Sequence, residues 1–193
     1  MTEKEASIIS ELCSLGVEEL RNSTLIDQIV PGYRLEGLEK IEAINGIPLA
    51  KLEVRMRPGN RAPNGSITGF LGDKERLIDT LERDGNYVRS CGYKHSLLAL
   101  PLFLVKKTVG RKQHELMFNG RRFTLNAMGS FGKQESPFDD GTSTSTDFIV
   151  TDSRGKELVF SGLLPEMIAR YGFYEGNVPH RLTPGKIINF FYA

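Results

Sequence analysis

The sequence predicts an α+β fold, with a single domain over residues 1–193 that combines a mainly antiparallel sheet with about three to four short helices. Alternating apolar residues flank tight-turn sequences in the second half of the chain, which is typical of antiparallel hairpins. Apolar stripes at helical spacing occur near the N-terminus and in later segments. Helices and strands do not alternate regularly, so a doubly wound parallel sheet is not expected.

An amphipathic helix is predicted at the N-terminus. Thr2 and Glu5 have capping-box spacing, and an apolar stripe that ends with Leu12 and Cys13 follows them. Because Cys13 lies on the apolar face, we expect it to pack in the core.

Short extended elements are predicted next. Asn45-Gly46 stands between apolar residues and indicates a hairpin over 41–49. Leu52, Val54 and Met56 alternate with charged residues, as in a strand with one apolar side. The loop 58–66 is rich in proline, glycine and asparagine, so it is a possible internal boundary.

The middle of the chain predicts two helices. Asp73 is a suitable N-cap for an apolar stripe that would end near Gly85, which gives a helix over 73–84. Pro101 interrupts a leucine-rich run, so we expect a short buried helix before the proline and a buried strand over 102–105.

The second half predicts two hairpins and a closing helix. Residues 115–118 and 123–128 flank an arginine-bearing turn, Asn119-Gly120-Arg121-Arg122, and residues 147–160 read as strand, turn and strand. A helix over 165–171 would begin at Pro165 and end at Gly172. The stretch 129–146 has too few apolar residues for a packed element, so it is predicted to be a flexible polar loop, either a lid or an insertion.

Composition narrows the function classes. Lys and Arg total 25 against 24 Asp and Glu, a formal charge of +1, so no global field draws the chain to nucleic acid or an anionic membrane. The two cysteines lack CxxC spacing, which fits a reduced compartment. The charged N-terminus and the absence of a long apolar run predict a cytoplasmic protein without a membrane span.

One string resembles a known motif. Phe138-Asp139-Asp140-Gly141-Thr142 is similar to the end of the nucleophile motif of haloacid-dehalogenase-type phosphatases. That family has its nucleophilic aspartate where this chain has Phe138, so membership of the family is rejected. The string predicts solvated loop carboxylates instead.

The candidate site residues are histidines and arginines. His95 and His180 are the candidate acid/base groups, and Arg55, Arg57, Arg121 and Arg122 are the candidate holders of an anionic substrate. Cys91 stands four residues before His95, which would make a thiol and base pair only on a continuous helix. No histidine pair has helical ligand spacing, so no metal and no cofactor are predicted.

The leading hypothesis is therefore a non-catalytic binding or interaction domain whose partner is an unidentified protein or an anionic small molecule. The alternative is a small enzyme acting on a phosphate- or carboxylate-bearing substrate, so the sequence leaves catalysis undecided. A second alternative is a nucleic-acid-binding accessory protein, because six cations cluster between Lys106 and Arg122. The neutral overall charge does not favour it.

Overall fold

The computed structural model describes residues 2–59, 68–179 and 181–193. In these ranges the chain forms seven α-helices, one four-stranded antiparallel sheet and one two-stranded hairpin. The helices are α1 (Glu3–Ser14), α2 (Val17–Asn22), α3 (Leu49–Met56), α4 (Leu77–Ser90), α5 (His95–Gly110), α6 (Leu164–Tyr171) and α7 (Pro184–Phe191). The strands are β1 (Ala43–Ile44), β2 (Ile47–Pro48), β3 (Glu115–Phe118), β4 (Arg121–Glu135), β5 (Ser143–Asp152) and β6 (Glu157–Ser161). The predicted α+β class and antiparallel pairing are confirmed, whereas the predicted number of helices is too low.

The larger sheet has the strand order β3-β4-β5-β6. Its two outer hairpins are those predicted from sequence, and Asn119 and Gly120 turn the first with positive φ angles of 50° and 68°. Alternate side chains of all four strands are buried on one face: Leu116, Phe118, Phe123, Leu125, Phe148, Val150, Leu158 and Phe160. This face packs on α5, and the other face carries half-exposed side chains such as Met117 and Val159.

Helix α5 runs unbroken through Pro101, so the predicted break and the strand over 102–105 are wrong. Proline has no N–H, and the carbonyl of Leu97 therefore lacks its usual donor one turn later. The hydroxyl of Tyr192 donates to this carbonyl at 2.5 Å, in a buried position. Every residue from 97 to 105 is buried because the sheet, α6 and α7 surround the helix. A long-range hydrogen bond thus stabilises a helix that local sequence would end.

Two other elements differ from their predicted form. The predicted strand with Leu52 and Met56 is helix α3, because the two buried residues are four positions apart and share a helical face. Helix α4 begins at Leu77, whose N–H donates to Glu53 of α3 at 2.7 Å, and it continues past Gly85 to Ser90. Asp73 does not cap it.

The stretch 129–146 is mostly strand, so its prediction as a flexible polar loop is corrected. It forms the end of β4 and the start of β5, with a register shift between Gly129 and Gln134. Serine and threonine suit a strand that is exposed to solvent, and backbone ladder bonds need no apolar side chains. Between the strands, the buried ring of Phe138 fixes the turn.

Most of the segment 58–66 lies outside the described residues. The residues before and after this segment lie next to each other, because the carbonyl of Met56 accepts hydrogen bonds from the N–H groups of Phe70 and Leu71.

The buried apolar residues form one hydrophobic cluster. It extends from Ile8 and Leu12 of α1 to Phe190 and Phe191 of α7. The predicted helices at the N-terminus and at 165–171 are confirmed: Thr2 caps α1, and Gly172 ends α6 in a left-handed conformation. The single-domain organisation stays a prediction.

Candidate functional site

His95 is the first residue of α5, and its ring is enclosed by three residues. Its Nδ1 lies 3.0 Å from the hydroxyl of Tyr174, and its ring stacks on Tyr33 with 5.3 Å between the centroids. The backbone of Gly172 touches the other edge, since a Cβ added there would lie 2.8 Å from Nε2. Burial, with help from the nearby Arg89, lowers the pKa of His95 to about 4. The ring is therefore neutral near pH 7. The second candidate, His180, lies outside the described residues.

Arg55, Arg57 and Arg121 bind partners in different parts of the structure, whereas Arg122 is exposed. Arg55 pairs with Asp139 at 3.6 Å, and Arg57 donates to the carbonyls of Gly72 and Glu75. Arg57 therefore holds the turn before α4.

The other two arginines are neighbours in β4 but differ in environment. Arg121 donates to the carbonyl oxygens of Phe190, at 2.9 Å, and of Ala193, at 2.7 Å, and lies 3.5 Å from Asp152. Arg122 is exposed, opposite Met117 in the strand pairing. The contacts of Arg55, Arg57 and Arg121 therefore lie in different parts of the structure. The role of the four arginines as anion holders stays a prediction.

Cys91 and His95 do not share a helix. Cys91 caps the end of α4, Gly92 follows with a φ of +71°, and α5 begins at His95. Burial raises the pKa of the other thiol, Cys13, to about 11, as expected for a packed cysteine.

The basic cluster between Lys106 and Arg122 is divided by its contacts. Lys106 donates to the carbonyl of Gly162 at 3.0 Å, and Lys107 pairs with Glu5 of α1. With Arg121 bound to the end of α7, these side chains do not present one continuous basic surface.

The motif-like string at 138–142 is a structural turn. Phe138 is buried and stacks on Tyr171 with 4.0 Å between the ring centroids. The carboxylate of Asp140 accepts from Thr142 and from the Tyr171 hydroxyl, and Asn45 donates to that hydroxyl at 2.9 Å. Burial acts to raise the pKa of Asp140, but these hydrogen bonds outweigh it and the pKa is lowered. Asp140 is thus a half-buried hydrogen-bond acceptor, not the solvated carboxylate that was predicted.

An ion-pair network centred on the buried Asp84 joins α4 to the segment before α7. Asp84 accepts from Arg83 at 3.2 Å and from Arg181 at 2.5 Å. Tyr174, which contacts the His95 ring, is fully buried. Burial raises the pKa of its neighbour Glu175 to about 8, although Arg181 opposes that shift.

A cavity of about 270 Å³ lies between residues 20–27 and residues 92–97, and we call it the α5 cavity. Its charged lining residues are Arg21, Asp27 and Lys94. Its neutral hydrogen-bonding residues are Asn22, Ser23, Thr24 and Ser96. The lining combines two cations, one anion and four neutral polar side chains, a set that can bind a small polar molecule.

Arg21 is held in place and retains hydrogen-bonding capacity. One of its terminal nitrogens lies 3.2 Å from Glu18, and its guanidinium carbon is 4.6 Å from the ring centre of Tyr93. Its Nε–H is buried and has no acceptor among the described residues. An unsatisfied buried donor of this kind costs roughly 1–3 kcal/mol.

Sequence reasoning missed the α5 cavity. Residues 17–30 have a weak pattern, and Arg21 and Lys94 are far apart in the chain. The two segments meet because α5 packs against the 3₁₀ turn Thr24–Gln28. No local spacing signals this contact.

Within the ranges that the structure describes, no group of three or more His, Cys, Asp and Glu side chains is arranged to hold a metal ion. Among the same residues, no helix has the length and apolar character needed to cross a membrane. Comparison with protein-family models, with curated proteins and with solved structures gave no match.

Proposed function

We propose that the protein is a non-catalytic binding domain that takes up a small anionic ligand in the α5 cavity. The observation that carries the proposal is a concave space of about 270 Å³ with Arg21 and Lys94 in its lining. Small-molecule pockets are commonly 300–1,000 Å³, so the ligand is compact.

The lining favours an anion. Arg21 and Lys94 supply two positive charges, and Lys94 forms no ion pair within the described residues. Ser96 and Leu97 belong to the first turn of α5, which has no side-chain cap, so backbone N–H groups there add to the positive potential. Phosphate and carboxylate groups bind well to such a combination.

The lining does not favour catalysis. It contains hydroxyls but neither histidine nor cysteine, and the His95 ring is engaged with Tyr174 and Tyr33 instead. Nucleophilic catalysis by a hydroxyl needs a base within hydrogen-bond reach, and among the described residues no lining hydroxyl is hydrogen-bonded to Asp27 or Lys94. An enzyme remains the alternative function, and turnover of any bound phosphate ester would favour it.

A cytoplasmic location is part of this proposal. The thiols of Cys13 and Cys91 are both free, which is compatible with a reducing compartment.

A thermal-melt titration tests the proposal. The probes are inorganic phosphate, acetate and short alkyl phosphates, added to the wild type, Arg21→Gln and Lys94→Gln. A ligand at about 100 times its Kd adds about 2.7 kcal/mol, which raises the Tm of a chain this size by about 5–11 °C. We expect at least one probe to raise the Tm of the wild type and both variants to lose most of the rise.

Arg76→Gln is the matched control. Arg76 forms an i,i+3 pair with Asp79 at 3.9 Å, as Arg21 does with Glu18, but it does not line the α5 cavity. Its variant should respond as the wild type does. The absence of any Tm rise in the wild type, or an equal rise in Arg21→Gln, would contradict binding at this site.

A further inference from the structure

Among the described residues, Asp27 is the one acidic residue in the lining of the α5 cavity. It lies in the 3₁₀ turn Thr24–Gln28, is exposed, and forms neither an ion pair nor a side-chain hydrogen bond within the described residues. A bound anion therefore faces two cations and one uncompensated carboxylate in the same small space.

Asp27 weakens the binding of a simple anion without cancelling the attraction of the two cations. Like charges at close range repel, and a site of this size brings any occupant near both signs of charge. A ligand that also carries an ammonium group converts the Asp27 repulsion into attraction, while its acidic end pairs with Arg21 and Lys94. The hydroxyls of Ser23 and Thr24 also line the cavity and can donate hydrogen bonds to oxygens of the acidic end.

We infer that the ligand is a compact zwitterion, with a phosphate or carboxylate at one end and an ammonium group at the other. This inference rests on the proposed function, because it assigns the chemical class of the ligand of the same cavity. Amino acids and amino-alcohol phosphates have this chemistry.

Isothermal titration with a matched pair of ligands tests the inference. O-phosphoethanolamine and propyl phosphate have nearly the same length and the same phosphate group. They differ at the other end, where the first has an ammonium group and the second a methyl group. Exposed ion pairs contribute up to about 1 kcal/mol, so we expect the wild type to bind O-phosphoethanolamine about fivefold more tightly.

Asp27→Asn should remove this preference. The two ligands should then bind within about twofold of each other, and propyl phosphate should bind more tightly than it does to the wild type because a repulsion is lost. Asp73→Asn is the control, since Asp73 is exposed and does not line the α5 cavity. It should keep the preference of the wild type, and thermal melts should verify that both variants are folded.

The outcomes separate the two proposals. Equal affinities in the wild type, or a preference that survives in Asp27→Asn, would overturn the zwitterion and leave anion binding intact. If neither ligand binds the wild type, or if both bind Arg21→Gln as tightly, the anion site itself is rejected and the zwitterion with it.

Discussion

Tyr192 supplies a hydrogen-bond donor that the backbone of α5 lacks at Pro101. Its hydroxyl bonds to the Leu97 carbonyl, which Pro101 leaves without a backbone donor. The hydroxyl lies in a buried position, and burial raises the pKa of Tyr192 well above its usual value. It is therefore a neutral donor under all ordinary conditions.

Tyr192→Phe should lower the free energy of unfolding by about 1–3 kcal/mol, because a buried carbonyl loses its only donor. Urea denaturation measures the change. Tyr33→Phe removes a hydroxyl from a side chain that is 45% exposed and should change the value by less than about 0.5 kcal/mol. Equal effects in the two variants would refute this role of the Tyr192 hydroxyl.

His95 should make the protein less stable in acid. Its pKa is about 4 in the folded chain and 6.5 as a free group, so between these values the unfolded chain binds more protons. The contribution of His95 to the free energy of unfolding should thus fall as the pH falls from 6.5 to 4, by at most about 1.4 kcal/mol per pH unit. Glu175, whose pKa is raised to about 8, contributes a slope of the opposite sign down to its ordinary value of 4.5.

The pH dependence of urea melts measures this slope. His95→Gln should flatten the part of the slope that belongs to His95, whereas His114→Gln, at an exposed position, should leave it unchanged. Asp84, which faces His95, favours the charged ring and opposes the shift. A slope that is the same in His95→Gln and the wild type would show that other groups cause it.

At the scale of elements, Gly172 at the end of α6 is required for two reasons, its backbone conformation and the lack of space for a side chain. Gly172 has a φ of +64°, and a Cβ there would lie 2.8 Å from the His95 ring. Gly155, in the turn between β5 and β6, has a φ of +78° and nothing within 4 Å of an added Cβ. Comparing alanine substitutions at these two glycines therefore separates two destabilising effects: the strain of a left-handed backbone and the steric clash with the His95 ring.

Gly155→Ala should cost about 1–2 kcal/mol, the penalty of a left-handed alanine. Gly172→Ala should cost at least about 1 kcal/mol more, because the His95 ring must move. Urea melts of both variants check this, and melts of Gly172→Ala combined with His95→Ala check the cause. If the second change does not relieve the extra cost, the ring is not its source.

Local signals predicted some elements and not others. Asn119-Gly120 and Gly172 require left-handed backbone, so sequence marks their turns directly. The continuity of α5 depends on Tyr192, which no window around Pro101 contains. The strands within 129–146 are held by backbone hydrogen bonds between β4 and β5. These bonds do not require apolar side chains, so the hydrophobic pattern of the sequence does not reveal them.

The candidate site was less predictable than the fold. Charge and side-chain chemistry selected Arg55, Arg57 and Arg121, but each has a partner elsewhere in the described chain. The α5 cavity forms only where residues 20–27 meet residues 92–97, and neither segment has a motif. Contacts of this kind require the fold to be known first.

For the whole molecule, one hydrophobic cluster joins the first helix to the last. We therefore expect one cooperative unfolding transition, with equal midpoints from far-ultraviolet circular dichroism and tyrosine fluorescence. The chain has six tyrosines and no tryptophan, so fluorescence reports on tyrosine sites alone. Two separate midpoints would instead indicate two domains, with 58–66 as their boundary.

The bond between Leu97 and Tyr192 also has a kinetic consequence. It joins residues 95 positions apart, and closing so long a loop is entropically costly before other contacts exist. The hydrogen bond between Tyr192 and the Leu97 carbonyl should accordingly form late, after the folding barrier has been crossed. Loss of the hydroxyl in Tyr192→Phe should then speed unfolding severalfold and leave the folding rate nearly unchanged, as the two arms of a chevron plot would show.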